Sequence, residues 1–320
     1  MKRIITLFVF TISIPLLAQI NKEPNLDSNK IDKNLQVKDT LKVDSLVVNK
    51  EKKTYFKAQM SYSSNYTYYG RTNATAVPYA TPLLGYFNKS GFFITTSLYY
   101  SLINQSKVEA VLFDIGYNYE VTDKLTLGAF ANKTNYNNSS SIVSSSIKGY
   151  IGGYIEYDFN YFDLSLESEA LLSKKTDINF TPTIDKEFEL LKNKALKITP
   201  TFLANFSSLN YFEEFSNRKN KKNPGSQNYT TVETTVNDKK FTLLDYEFSI
   251  PVEYKLKNFV FFATPLVAFP VNPVYTTNVL TLHAANGTQI GNPVTIDSTQ
   301  ASELNLKNKF FFEIGFYYKF

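Results

Sequence analysis

The sequence predicts an all-β fold: a transmembrane, antiparallel, up-and-down β-barrel of about twelve strands, with ten or fourteen strands as alternatives. Three observations predict it. Apolar and aromatic residues alternate with polar ones in short segments from Thr54 to the end of the chain. The connections between these segments are alternately short and long. The one long apolar run lies at the N-terminus, where export signals are found.

The N-terminal 18 residues read as a secretory signal peptide. Lys2 and Arg3 precede an apolar run over residues 4–17, and Ala18 is a small residue suited to cleavage. A single membrane helix is the alternative, but the run is shorter than the roughly 20 residues that a span needs and contains Pro15. We therefore expect the chain to be exported.

Residues 19–53 are predicted to form a polar periplasmic leader. Lysines alternate with acidic residues there, and large aromatic residues are absent. Residues 43–48 have some strand character and could pair with a partner or with the barrel rim. A solvated tether is the favoured interpretation of the leader.

The composition fits an exported membrane protein. The 320 residues include no cysteine, so the chain has no disulfide, no thiolate metal site and no lipidated cysteine. The 27 Phe and 23 Tyr residues supply the aromatic girdles that transmembrane barrels carry at both interfaces. The formal charge of +5 is scattered along the chain and does not indicate a nucleic-acid partner.

Residues 54–320 are predicted to form the barrel, and its strands follow from period-two alternation between turn residues. The predicted strands are residues 55–69, 83–87, 92–102, 108–119, 125–136, 147–159, 162–172, 195–206, 210–215, 241–256, 259–269 and 310–320. Connections after even-numbered strands are short, and most of those after odd-numbered strands are long, with the one after the third as an exception. Transmembrane barrels show this asymmetry, with tight periplasmic turns and extended outer loops. An even strand count would place both barrel ends of the chain on the periplasmic side.

The last predicted strand ends the chain in the segment FFFEIGFYYKF. Phe312, Ile314 and Phe316 share one face, while Glu313 and Lys319 lie on the other. This strand, with its terminal Phe320, resembles the closing strand of a bacterial outer-membrane β-barrel. The resemblance implies location in the bacterial outer membrane, contact with lipid and lipopolysaccharide, and recognition of the C-terminal strand by the barrel-assembly machinery. We expect a monomer.

The polar face of each strand predicts what lines the lumen, because a charge facing hydrocarbon at mid-depth costs about 2–4 kcal/mol for basic residues and less for acidic ones. The candidate lumen-lining residues are Glu156, Asp163, Glu167, Glu169, Asp245, Glu247, Glu253 and Glu313. The same phase sends Asp114, Glu120 and Asp158 inward. Inward basic residues are fewer, and Lys57, Lys197, Lys255 and Lys319 are the candidates. The predicted lumen is acidic in balance.

A narrow channel or passive transporter for small solutes is the function that this lumen favours, with preference for cations. The alternative is a closed barrel whose carboxylates pair internally and whose long outer loops engage a partner or lipopolysaccharide. Eight strands enclose a filled interior and sixteen or more an aqueous pore, so twelve strands leave both readings open. The cluster Arg218, Lys219, Lys221 and Lys222 is a candidate contact for lipopolysaccharide phosphates, or simply a solvated loop.

The sequence does not predict an enzyme, a cofactor or a metal site. Outer-membrane phospholipases and proteases use a histidine, and the one histidine here is His283. No serine follows it at the second position, so the phospholipase pattern is missing, although a protease with one histidine and nearby aspartates stays an open alternative. The surrounding residues 279–290 predict a small hairpin that turns at Asn286 and Gly287, with His283 on its surface.

Overall fold

The chain forms a closed antiparallel barrel of twelve strands. The computed structural model describes residues 53–72, 76–103, 107–138, 140, 142–191, 193–220, 228–237, 240–272, 274–300 and 307–320. The predicted signal peptide (1–18) and all of the predicted leader (19–53) except Lys53 lie outside the described residues.

Each barrel strand pairs with its sequence neighbour, as expected for an up-and-down topology. The strands are β1 Tyr55–Ser63, β2 Tyr79–Phe87, β3 Phe92–Ser101, β4 Lys107–Glu120, β5 Leu125–Tyr136, β6 Gly149–Asp158, β7 Asp163–Leu172, β8 Asp177–Asp185 continued by Phe188–Leu190, β9 Leu196–Ile198 continued by Thr201–Ser207, β10 Thr242–Ser249 continued by Val252–Leu256, β11 Phe259–Pro270 and β12 Lys309–Lys319. The first and last strands close the ring, with Met60 opposite Phe316. At the start of β1, the two strands are also joined by the Phe56 amide, which donates to the Phe320 carbonyl at 2.9 Å.

The exterior of the barrel is apolar. Along the long strands, exposed apolar side chains alternate with buried side chains, many of them polar. Exposed examples on three strands are Leu84, Phe261 and Phe312. In a closed barrel the exposed set faces outward, so the predicted phase of the closing strand is confirmed. Apolar residues in a continuous outer band are stable only against lipid.

The predicted number of strands is right, but one strand was missed and one predicted strand is a helix. Residues 177–190, read from sequence as a polar connection, form β8. Residues 210–215, read as the ninth strand, belong instead to helix α1, Asn210–Asn220. The two errors cancel in the count, so the strand predicted as residues 195–206 is the ninth and not the eighth.

The connections confirm the predicted sorting of loop lengths at one end of the barrel. Tight turns follow the even-numbered strands, at residues 88–91, 121–124, 159–162, 191–195 and 257–258. We call this the short-turn end and the opposite end the long-connection end. The connection after β7 is residues 173–176, so the long connection predicted there is wrong.

Four structured elements sit in the long connections, the first being a short sheet of Thr67–Tyr68 and Arg71–Thr72 after β1. A 3₁₀ helix, Val143–Ser146, follows β5, and α1 follows β9. A small outer sheet is formed by Tyr229–Val236, Tyr275–His283 and Val294–Gln300. Among the described residues, no helix has the length and apolar content needed to cross a bilayer.

The connection after β1 departs most from the sequence prediction. The first strand ends at Ser63 and does not continue to Tyr69. Tyr66 and Tyr68, predicted to face outward with the other apolar residues of this strand, are only 1% and 4% exposed. We call residues 64–78 the inward loop, because its described side chains lie against the inner wall of the barrel.

Candidate functional site in the barrel interior

One part of the inner wall is packed with rings. The inward residues of β2 to β6 include Phe87, Phe93, Tyr99, Phe130, Tyr150 and Tyr154, all buried. Phe87 and Phe93 stack at a centroid distance of 6.1 Å, and Phe130 meets Tyr150 edge to face at 5.9 Å. We call this surface the aromatic wall.

Glycines on the same strands make room for these rings. A Cβ on Gly128 would lie 1.9 Å from Cε1 of Tyr154, and one on Gly116 would lie 2.3 Å from Cζ of Phe93. The rings of Tyr154 and Phe93 therefore each cover a glycine on a neighbouring strand. This packing fills the interior and shields the backbone of the glycine. The Tyr154 hydroxyl is held by donation to Oδ1 of Asn118 at 2.8 Å.

Asp114 is the carboxylate at the centre of the aromatic wall. It accepts hydrogen bonds from β3, β5 and β6: from Thr95 Oγ1 at 3.2 Å, from Asn132 Nδ2 at 2.7 Å and from the Tyr150 hydroxyl at 3.2 Å. The three donors offset part of the desolvation of this buried carboxylate. Asp114 follows the predicted inward phase. Glu120, predicted on the same face, lies exposed at the strand end instead.

The next strands carry an acidic surface. Buried carboxylates line β6 to β10, and we call this set the acidic wall: Glu156, Asp163, Glu167, Glu169, Asp185, Asp245 and Glu247. Asp163 and Asp185 are directly opposite each other on adjacent strands. Hydroxyl and amide groups stand between the acids, as where Thr181 donates to Asn205, whose amide donates to Asp245 Oδ1 at 2.9 Å. Asp185 was not predicted, because the strand that carries it was not.

The other two predicted lumen acids lie away from this wall. Glu253, on β10, and Glu313, on β12, are half-buried. Glu253 lines a pocket at the short-turn end, and Glu313 is opposite Thr264 and Ser63. Asp158 is half-buried at the end of β6 and accepts from the Asn160 amide at 2.6 Å in the following turn.

The inward loop connects the two sides of the barrel. It leaves β1, yet the Tyr69 hydroxyl donates to Glu169 Oε1 on β7 at 2.9 Å and contacts the Asn179 amide on β8. These strands are about halfway round a ring of twelve, so the loop reaches across the lumen. Gly70, with a φ of 68°, sits against Asp245 so closely that a Cβ would lie 2.8 Å from its carboxylate oxygen.

Two further contacts fix the inward loop at the long-connection end. The Tyr66 hydroxyl is 2.6 Å from Ser144 Oγ in the 3₁₀ helix, and the Tyr68 ring packs edge-on against Tyr211 of α1 at 5.1 Å. Within the loop, Asn65 Oδ1 accepts from the amides of Tyr66 and Val77, both at 2.8 Å. The loop and the two helices therefore constrict this end of the lumen together.

The predicted inward lysines gather at the short-turn end. Lys57 and Lys197 are buried, Lys319 is half-buried and Lys255 is exposed at the rim. Lys57 Nζ lies 4.4 Å from the centre of the Tyr317 ring. Lys197 Nζ is 3.0 Å from Oε1 of Glu187, and both side chains are 5% exposed. The sequence placed these lysines in the lumen but not at one end of it.

The remaining candidate residues lie outside the lumen. Arg218 and Lys219 are in the last turn of α1 rather than in an irregular loop, and Lys221 and Lys222 fall outside the described residues. The predicted hairpin at residues 279–290 is present, with Gly287 at a φ of 88°. His283 stacks on Tyr229 at 5.1 Å, and its Nε2 is 3.0 Å from Thr231 Oγ1 in the outer sheet.

The comparisons with known proteins found similar solved structures but identified no family. No protein-family model matches the sequence, and no curated protein is significantly similar to it. A solved structure of KdgM porin has a TM-score of 0.42 and 10% identity, over 82% of this chain and 99% of that one. OmpT, an outer membrane protein of Vibrio cholerae in its trimer form, has a TM-score of 0.31 and 9% identity, over 83% and 98%. An anion-selective porin from Comamonas acidovorans has a TM-score of 0.27 and 8% identity, over 83% and 98%.

Function must therefore be inferred from the side chains of this chain. The closed ring of strands and its apolar exterior establish the class of protein without reference to any single relative. The protein is an outer-membrane β-barrel, as predicted from its closing strand.

Proposed function

We propose that the protein is a narrow channel for small solutes, lined by the acidic wall and constricted by the inward loop. The observation that carries this proposal is the set of buried carboxyl, hydroxyl and amide groups on the inward faces of β6 to β10, which outnumber the buried leucines there. A wall of this kind presents oxygen atoms to a hydrated solute along the height of the barrel. In a low-dielectric channel its field favours cations over anions.

The constriction supports a narrow path over a wide one. Tyr69 meets Glu169 on the far wall, so the inward loop narrows the lumen where it faces the acidic wall. Selectivity in channels is set at such a point. The lysines at the short-turn end lie away from it, because they belong to the opposite rim.

Conductance is the direct test. The protein, refolded and inserted in a planar bilayer, is expected to give small currents with a reversal potential that favours cations under a salt gradient. A matched variant replaces residues 64–78 by Asn-Gly. Ser63 is directly opposite Tyr79, and a two-residue Asn-Gly turn closes such a hairpin. This variant is expected to conduct severalfold more.

The contacts of the inward loop also favour the alternative of a closed barrel whose outer elements engage a surface partner or lipopolysaccharide. That function predicts silent bilayers for the parent chain and for the loop-shortened variant, with insertion confirmed by the gel shift on heating. Such a result would remove the channel. We propose no enzymatic activity, because His283 sits in the outer sheet among Tyr229 and Thr231, away from any of the wall carboxylates.

A further inference from the structure

A pocket with a volume of about 290 Å³ opens at the short-turn end of the barrel. It is bounded by the ends of β9, β10, β11 and β12 and by the start of β1. Six lysines line it: Lys53, Lys194, Lys197, Lys255, Lys257 and Lys319. Among its described lining residues, Glu253 is acidic.

Lysines outnumber acidic residues in the lining of the pocket. Lys194 pairs with Glu189 at 2.7 Å and Lys197 with Glu187 at 3.0 Å. Six lysines against Glu253, Glu187 and Glu189 leave the pocket and these pairs with a net positive charge. A concave surface with one dominant sign of charge concentrates ions of the opposite sign.

The framework of the pocket is rigid, because its backbone belongs to the barrel ladder. The Lys255 amide donates to the Ala195 carbonyl at 2.8 Å, and the Lys319 amide donates to the Asn258 carbonyl at 3.1 Å. Lys319 Nζ is further positioned by two rings, at 4.7 Å from the centre of Tyr55 and 5.8 Å from that of Tyr317. Sites built on strands hold their geometry better than sites built on loops.

From this charge and shape we propose that the short-turn end holds a binding site for a small organic anion, one with a phosphate or carboxylate group on a body of sugar size. Ligand pockets in proteins span about 300–1,000 Å³, so this one is at the lower limit and suits a compact molecule. Lys255, Lys257 and Lys319 hold the anionic group, and Tyr55 and Tyr317 contact the body. The site does not depend on whether the lumen conducts.

Binding is tested on the full chain refolded in detergent, by equilibrium dialysis with inorganic phosphate, glucose 6-phosphate and glucose. Glucose 6-phosphate is expected to bind more tightly than phosphate, because the sugar fills the pocket, and glucose is expected not to bind. The double variant Lys255→Gln with Lys319→Gln should weaken glucose 6-phosphate binding at least about tenfold, since each lysine supplies a charge-assisted hydrogen bond.

The matched control is Lys89→Gln with Lys124→Gln. Both lysines are exposed in other turns of the same end and do not line the pocket. They should leave binding unchanged. The gel shift on heating shows that each variant is a folded barrel, and Lys255→Gln alone, which removes no ring contact, should still weaken binding. Absence of binding by both anions, or an equal loss in the control pair, would overturn the site. Silent bilayers together with lysine-dependent binding would refute only the channel.

Discussion

The aromatic wall and the acidic wall occupy one lumen but are stabilised in different ways. On the aromatic wall, rings cover glycines and Asp114 receives three donors, from β3, β5 and β6. On the acidic wall, Glu169 receives a donor that comes from the inward loop, a segment that starts on the far side of the barrel. The contacts of the aromatic wall come from its own strands, and those of the acidic wall include a contact from a loop.

This difference separates stability from function within the barrel. Substitutions in the aromatic wall should lower the free energy of unfolding, because they break packing and a saturated hydrogen-bond network. Substitutions in the acidic wall should change what passes the lumen and cost less stability. Four predictions follow this order, from the largest expected loss of stability to the smallest.

Asp114→Ala is expected to have the largest effect. It leaves the donors of Thr95, Asn132 and Tyr150 without their acceptor, and a buried orphaned donor costs about 1–3 kcal/mol. We expect a loss of about 3 kcal/mol in the free energy of unfolding, measured by urea titration in lipid vesicles. Asp114→Asn, which keeps an acceptor oxygen, should lose less. Equal losses for the two substitutions would contradict a role for the network.

Gly128→Val should come next. The new Cβ would overlap the Tyr154 ring, which is anchored by its hydroxyl to Asn118, so the ring cannot move aside without breaking that bond. Overpacking of this kind costs about 1–3 kcal/mol. The midpoint temperature of the gel shift is expected to fall. Ala129→Val, one residue along and facing lipid, serves as the control and should leave the midpoint where it is.

The inside and the outside of the barrel could be predicted from sequence because the signal is local. In the closing strand Phe312 and Ile314 face lipid and Glu313 does not, and residue type alone reports this when the period is two. The same phase placed Glu167 and Asp245 inside. Tight turns could also be predicted from local residue type. Gly91 ends the turn at residues 88–91 with a φ of 99°, a left-handed conformation that glycine adopts at little cost.

Elements stabilised by distant residues could not be predicted. β8 was read as a polar connection, and it contains Pro182, which lacks a ladder donor and is unusual within a strand. Helix α1 begins where the amides of Asn210 and Tyr211 donate to Asp177, more than thirty residues earlier, at 2.9 and 2.8 Å. The inward position of Tyr66 likewise depends on Ser144. No sequence window contains both partners of these contacts.

Tyr69→Phe tests the link between the two walls. It removes the hydroxyl that donates to Glu169, and a hydrogen bond to a charged group contributes about 1.5–3 kcal/mol. Because this bond holds a loop and not a strand, most of the loss should appear as local opening. We expect faster cleavage of the inward loop by an added protease and noisier, larger currents. Tyr161→Phe, at an 86% exposed tyrosine in a short turn, should change neither measurement.

Glu167→Gln should change stability least and selectivity most directly. The amide keeps the shape of the side chain, and the substitution removes one negative charge from a wall where acids face acids, as Asp163 faces Asp185. In the loop-shortened variant, where currents are largest, the reversal potential under a salt gradient should move toward zero. Glu120→Gln removes the same charge from an exposed strand end and should leave the reversal potential unchanged. If both substitutions moved it equally, selectivity would come from net charge and not from the acidic wall, and the two walls would no longer differ in function.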